Sequence, residues 1–221
     1  MKPITFQDIK ENKEFNTYIK KSNELLGVLG FTEHSFAHVT KVSDIAAQIL
    51  VSFGYDERTV ELARVAGYIH DIGNVVNRVE HAQTGAIMAF TILTKMNMDP
   101  NEIADVVGAV GNHDEDAGIT VSPISAALIL ADKTDVRRSR VRNRDVAKFD
   151  IHDRVNYAVE ESRLIIEAEN HVVRLEMKID TKICSVMDYF EIFLVRMLMC
   201  KRAAEFLDLR FELEANGSRL L

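Results

Sequence analysis

The feature that most restricts the fold of this chain is a change of hydrophobic period near residue 160. Before it, apolar side chains recur every three to four positions, which places them on one face of successive helices. After it, "SRLIIEAEN" and "HVVRLEMKID" alternate with period two, as strands do. A chain with this texture folds as mainly α, a helical bundle followed by a small α+β unit.

Start and stop signals divide the first part. Thr5 with Asp8 three later predicts a capped helix running to Leu29 and ended by Gly30. Val39, Val42, Ile45, Ala46, Ile49 and Leu50 keep helical spacing up to Gly54, a candidate left-handed cap. Asp56 opens the helix that closes on His70, and another is expected from about Gln83 to Met96. Asp99-Pro100 and Ser122-Pro123 each read as N-cap and first helical residue of two further helices, ending near Gly111 and carrying Asp132. In the second part, Leu164, Ile166 and Ala168 match Val173, Leu175, Met177 and Ile179 across a turn at Asn170-His171. Asp180 or Thr181 then starts a long helix to about Leu207, and "LRFELEA" alternates again. The expectation is β-β-α-β, three short antiparallel strands under one helix. Domains are expected at residues 1–160, helical and catalytic, and 161–221, a dimerisation or cleft-shaping unit.

Five of the seven histidines lie near helix ends or beside glycines within the first 113 residues. His70 and Asp71 are adjacent in "YIHDIGN"; His38 opens "HVTKV", His81 opens "HAQTGA", His113 sits in "GNHDED", and Asp132 in "ILADKTD". A mixed imidazole and carboxylate set without cysteine suits iron, manganese, nickel or magnesium better than structural zinc. Asp132, among Leu128, Ile129, Leu130 and Ala131, is costly to bury unless it is paired or metal-bound.

These blocks, in this order, resemble the HD superfamily of metal-dependent phosphohydrolases over roughly residues 30 to 140. "HVTKV", "YIHDIGN" and "ILADKTD" match its histidine, its His-Asp pair and its distant aspartate; "HAQTGA" and "GNHDED" match the extra histidines of branches with a binuclear centre. The resemblance implies His38, His70, Asp71 and Asp132 around one divalent ion and Asp71, His81 and His113 around a second. Hydroxide held between the ions would attack phosphorus. His34, four residues before His38, is an alternative first ligand, a substrate contact or a proton donor. Glu33 is expected in the first turn, where it favours the helix dipole.

"KTDVRRSRVRNR" follows Asp132 in a chain whose formal charge is -7. Lys133, Arg137, Arg138 and Arg140 are the candidate phosphate contacts, with Arg142 and Arg144 beyond them, since guanidinium forks match phosphate oxygens. Lys133 is also a candidate catalytic group. The Gly-Tyr-Pro motif of HD-type cyclic-dinucleotide phosphodiesterases is absent, because the chain after Gly118 reads "ITVSP"; the pattern partly matches the branch that splits dinucleoside tetraphosphates. The expected activity is hydrolysis of a nucleotide-like phosphoester. A nucleotide-sensing regulator with a dormant centre and an HD-type di-iron oxygenase are the alternatives.

Charge argues against nucleic-acid or membrane partners: residues 161–221 mix nine basic with eleven acidic residues. "YFEIFLVRMLMC" is interrupted by Glu191 and Arg196 and is too short to span a bilayer. Two cysteines, Cys184 and Cys200, and no secretory segment fit a cytoplasmic protein, and exposed strand edges fit a homodimer.

Overall fold

The computed structural model describes residues 3–115, 118–143, 145 and 149–221. Arg144, one of the basic residues after Asp132, lies outside them. The helices are α1 (Phe6–Glu11), α2 (Lys13–Val28), α3 (Phe36–Ser52), α4 (Glu57–Ile69), α5 (His81–Lys95), α6 (Pro100–Gly111), α7 (Pro123–Lys133), α8 (Ile151–Ala158) and α9 (Val186–Phe206). Strands β1 (Val159–Glu167), β2 (Val172–Ile179), β3 (Arg210–Ala215) and β4 (Ser218–Arg219) form one sheet in that order. The fold is mainly helical with a small C-terminal sheet, as the change of period predicts.

Several caps are those read from the sequence. Asp56, Asp99 and Ser122 accept hydrogen bonds from the first-turn N–H groups of α4, α6 and α7, and Gly54 takes a left-handed φ of 76° after α3. The first helix differs from expectation. Thr5 and Asp8 form the predicted capping box, but the helix stops at Asn12, whose extended backbone ends α1 while its side chain accepts from Glu14 and Phe15 N–H and starts α2. The long C-terminal helix begins later than expected, at Ser185, in a capping box with Asp188.

The strand pairing also corrects the expectation. β1 and β2 are antiparallel, with Leu164 opposite Leu175 and Ile166 opposite Val173, but β3 runs parallel to β2. The cause is connectivity: α9 lies between β2 and β3, and a helical crossover returns the chain in its original direction. Ala168 belongs to a 3-10 turn (Ala168–Asn170), not to β1, and the hairpin closes through His171 in the left-handed region.

α7 is the central rod. Every residue from Ile124 to Ala131 is buried, and the helix packs against α3, α4, α6 and α9. Full burial of side chains such as Leu128 and Ile129 contributes about 1.5–3 kcal/mol each. Buried residues of the bundle and of the sheet unit belong to one hydrophobic core. Two glycines let backbones touch near the end of α4. A Cβ on Gly67 would lie 2.7 Å from Ser43 Cα on α3, and one on Gly73, in the 3-10 turn Ile72–Val75, would lie 2.0 Å from the His81 carbonyl oxygen and 2.5 Å from Gly85 N. No described helix is long and apolar enough to cross a membrane.

Candidate metal centre

Helix ends deliver the six predicted residues to one point. His38 lies in the first turn of α3, His70 is the C-cap of α4 with Asp71 after it, His81 opens α5, His113 follows α6, and Asp132 lies in the last turn of α7. The four histidines and Asp71 are buried.

The two oxygens of Asp71 divide the site. Oδ2 lies 3.1 Å from His70 Nε2 and 3.6 Å from His38 Nε2, and Asp132 Oδ1 lies 3.3 Å from His38 Nε2 and 3.7 Å from His70 Nε2. Oδ1 lies 3.4 Å from His81 Nε2 and 3.9 Å from His113 Nε2, and those two nitrogens are 3.2 Å apart. Donor atoms bound to one divalent ion at about 2.0–2.2 Å and at ordinary angles sit about 2.8–3.6 Å from one another. Both sets come within a few tenths of an ångström of that spacing. His70, His113 and Asp132 make a third convergent group.

The tautomers are set from outside. Nδ1 of His70, His81 and His113 meets the carbonyls of Gly67, Arg78 and Val110 at 2.8, 3.0 and 2.6 Å, and a carbonyl can only accept. His38 Nδ1 meets Asp135 Oδ2 at 2.8 Å. The Nε2 atoms therefore present lone pairs to one another and to two carboxylates; Arg78 Nη1 lies 3.2 Å from His81 Nε2 and can donate to it, whereas around His38 and His70 the arrangement is repulsive unless a cation lies between. His38 Nε2, His70 Nε2 and Asp71 Oδ2 are buried without a hydrogen-bond partner among the described residues. Protonation answers the same demand: burial opposes charge on His70, but Asp71 and Asp132 drive its pKa up to about 10. Burial would raise Asp71 and Asp132, yet His70 beside the first and Lys133 beside the second hold both well below the carboxylate range. His113, buried near His70 and Lys133, is lowered to about 3.

Further shells support these groups. Asn74 Nδ2 donates to Asp71 Oδ1 at 2.9 Å, and Asp135 also holds Lys41 at 2.7 Å and Arg137 at 3.0 Å. Asp135 and Asn74 escape the sequence reading, although Asp135 is only three residues beyond Asp132. His34 is not on α3: Ser35 is the N-cap, so the shared helix face expected for His34 and His38 does not exist. Hydrogen bonds place His34 instead, its N–H donating to Asn23 and its Nδ1 to Thr32 O at 2.7 Å, which leaves Nε2 4.0 Å from Asp71 Oδ2. Burial, then the Arg140 charge, lowers its pKa well below normal, so it enters neutral chemistry as an acceptor. Glu33 likewise precedes the helix and accepts from Ser35 N–H.

A cavity of about 340 Å³ opens on the centre, lined by His34, Arg78, Lys133, Arg140, Phe193 and Arg196 among others. Lys133 and Arg140, two of the four candidate phosphate contacts, line it. Arg137 and Arg138 do not line it. Arg137 pairs with Asp135 and Glu33, and Arg138 donates to Tyr157 O and lies over the Tyr157 ring. Burial would lower Lys133, but Asp132, Glu115 and Asp114 keep its ammonium above its ordinary pKa. Arg78 and Arg196 carry no motif and are visible only in three dimensions, and Glu115, though inside "GNHDED", has no role that the block predicts.

Helix ends that gather imidazoles and carboxylates into groups able to hold a metal ion define a metal-binding bundle. The chain belongs to the HD domain family, which matches residues 35–192. It is 29% identical over 198 residues to the uncharacterized protein MJ1020 of Methanocaldococcus jannaschii, covering 79% of this chain and 75% of that one. It is also similar to the crystal structure of a predicted HD superfamily hydrolase from an uncultured Thermotogales bacterium, with TM-score 0.45, 23% identity, and coverage of 57% of this chain and 68% of that chain.

Proposed function

We propose that the protein is a metal-dependent phosphohydrolase acting on a nucleotide-like phosphoester, with two divalent ions at the centre. His38, His70, Asp71 and Asp132 hold one ion, and Asp71, His81 and His113 hold the other. The observation that carries this reading is the set of inward Nε2 lone pairs, each fixed by an engaged Nδ1, facing carboxylates in a buried site. Divalent ions bound there polarise a phosphoryl oxygen and make water acidic enough to attack at neutral pH.

The protein's own groups do the rest. Asp71 would belong to both ligand sets. His34 Nε2, an acceptor because its Nδ1–H is committed to Thr32, orients the attacking water. Lys133, charged and largely buried, holds a phosphoryl oxygen. As the water oxygen bonds to phosphorus its proton passes to His34 Nε2, the ester P–O bond breaks, and the departing oxygen, its charge stabilised by the Lys133 ammonium, takes that proton back.

The test is elemental analysis of the purified protein, then assays with Mn, Fe, Ni and Mg on nucleotides, dinucleotides and generic phosphoesters, beside Asp71→Ala. Turnover in wild type alone supports the reading, and equal rates in both proteins assign the activity to a contaminant. Nucleotide binding without turnover would make the protein a sensor, and bound iron with oxygen uptake would make it an oxygenase.

A further inference from the structure

Two arginines on the cavity wall come from outside the metal-holding residues. Arg140 ends a 3-10 turn (Arg138–Arg140) and is buried, its Nε donating to Glu33 O and its Nη1 to Asp135 O, both at 2.8 Å. Its Nη2 has no hydrogen-bond partner among the described residues. Arg196 comes from α9. Its Nε lies 2.6 Å from Glu115 Oε1, its guanidinium carbon lies 4.6 Å from the centre of the Phe193 ring, and neither terminal nitrogen has a hydrogen-bond partner among the described residues.

Each guanidinium is therefore held at its stem while N–H donors remain unused at a cavity both side chains line. The pair is mutually unfavourable, since the Arg196 charge adds to burial in lowering the pKa of Arg140. Glu115 does not neutralise Arg196 alone, because it also lies 3.3 Å from Lys133. Carboxylates of Glu115, Asp150 and Asp153 share the lining, so it is the unused guanidinium donors that fit an anionic guest, and the fork of a guanidinium suits a phosphate or carboxylate. At about 340 Å³ the cavity is near the small end of ligand sites, which run about 300–1,000 Å³.

We propose that Arg140 and Arg196 form an anion clamp for a second acidic group of the substrate, a phosphate or carboxylate distinct from the phosphoester at the metal centre. The substrate class is then a compact molecule with two anionic groups. The inference rests on the phosphoester reading for the placement of the first group, but its test uses binding and needs no turnover.

The metal-loaded protein is titrated calorimetrically with fructose 6-phosphate, fructose 1,6-bisphosphate and 6-phosphogluconate, which share a six-carbon chain with one terminal phosphate and carry, in turn, no second anion, a phosphate and a carboxylate. Charge-assisted bonds to a guanidinium predict a roughly 10- to 100-fold lower Kd for one or both probes with two anionic groups than for fructose 6-phosphate. Which probe gains distinguishes a phosphate subsite from a carboxylate subsite. In Arg196→Gln the preference should collapse toward unity, and Arg196→Lys should restore part of it. Equal affinities in wild type, or a preference that survives Arg196→Gln, overturn the clamp. If Arg196→Gln loses cooperative melting, the wild-type ratio and the lysine variant decide. Absence of hydrolysis with any probe counts against the phosphohydrolase reading alone.

Discussion

The metal centre and the outer part of the sheet both concentrate charge on buried backbone, and they resolve it in opposite ways. On the sheet, Glu212 is buried but meets Arg174 at 2.9 Å, Arg210 at 3.0 Å and Arg219, and Arg174 also reaches Glu167 at 2.7 Å. That network closes on itself. At the centre the donors face other donors' lone pairs, and three buried atoms are left without a hydrogen bond. A self-satisfied cluster is architecture; a cluster whose electrostatics close only around an added proton or metal ion marks a binding site.

The largest test of this contrast is Asp71→Ala, which removes the carboxylate shared by both positions. Elemental analysis should find neither ion retained, and kcat should fall by ~10,000-fold or more. Next come His81→Ala and His113→Ala. Each should strip mainly one ion, leaving the metal-to-protein ratio halved and the rate down by on the order of 1,000-fold. If either instead empties both positions, the division drawn by the two Asp71 oxygens is wrong. Asp135→Asn weakens the carboxylate behind His38 while leaving every inward donor in place, and chelator competition should show roughly 10- to 100-fold weaker metal binding.

The smallest effect belongs to the sheet. Glu212→Gln should leave metal content unchanged and lower stability in denaturant melts by about 1 kcal/mol or less. Its pH dependence has a definite sign. Arg174 first, then Arg219 and Arg210, hold the Glu212 carboxyl below its ordinary 4.5. Its stabilisation is complete above that value and fades as the pH falls through the lowered one, so the gap between variant and wild type should narrow from pH 7 to about pH 3. A gap that widens in acid would show that the sheet charges do not form the closed network described.

Much of this was legible before any coordinates. Blocks that put histidine or aspartate at helix ends carry their own start and stop signals, so the six convergent residues could be named and their meeting expected. Residues selected by adjacency fared unevenly. Arg137 has an extended backbone, with φ of -161°, so neighbouring side chains leave on opposite sides and only Arg140 returns to the cavity. His34 reached the site through a loop hydrogen bond rather than helical spacing. Arg196 had no local signal, because only the packing of α9 on α7 brings it there. The parallel third strand was deducible from the crossover helix, had connectivity been weighed above the alternating pattern.

Gly73 gives the centre its ruler. With only hydrogen where a methyl would collide with the His81 carbonyl, the turn after Asp71 rests directly on the opening of α5. Any side chain there must wedge the two apart, lengthening the reach from one carboxylate to its far imidazole. A single methyl group on the backbone between Asp71 and His81 would thus pull that imidazole away from the carboxylate it faces.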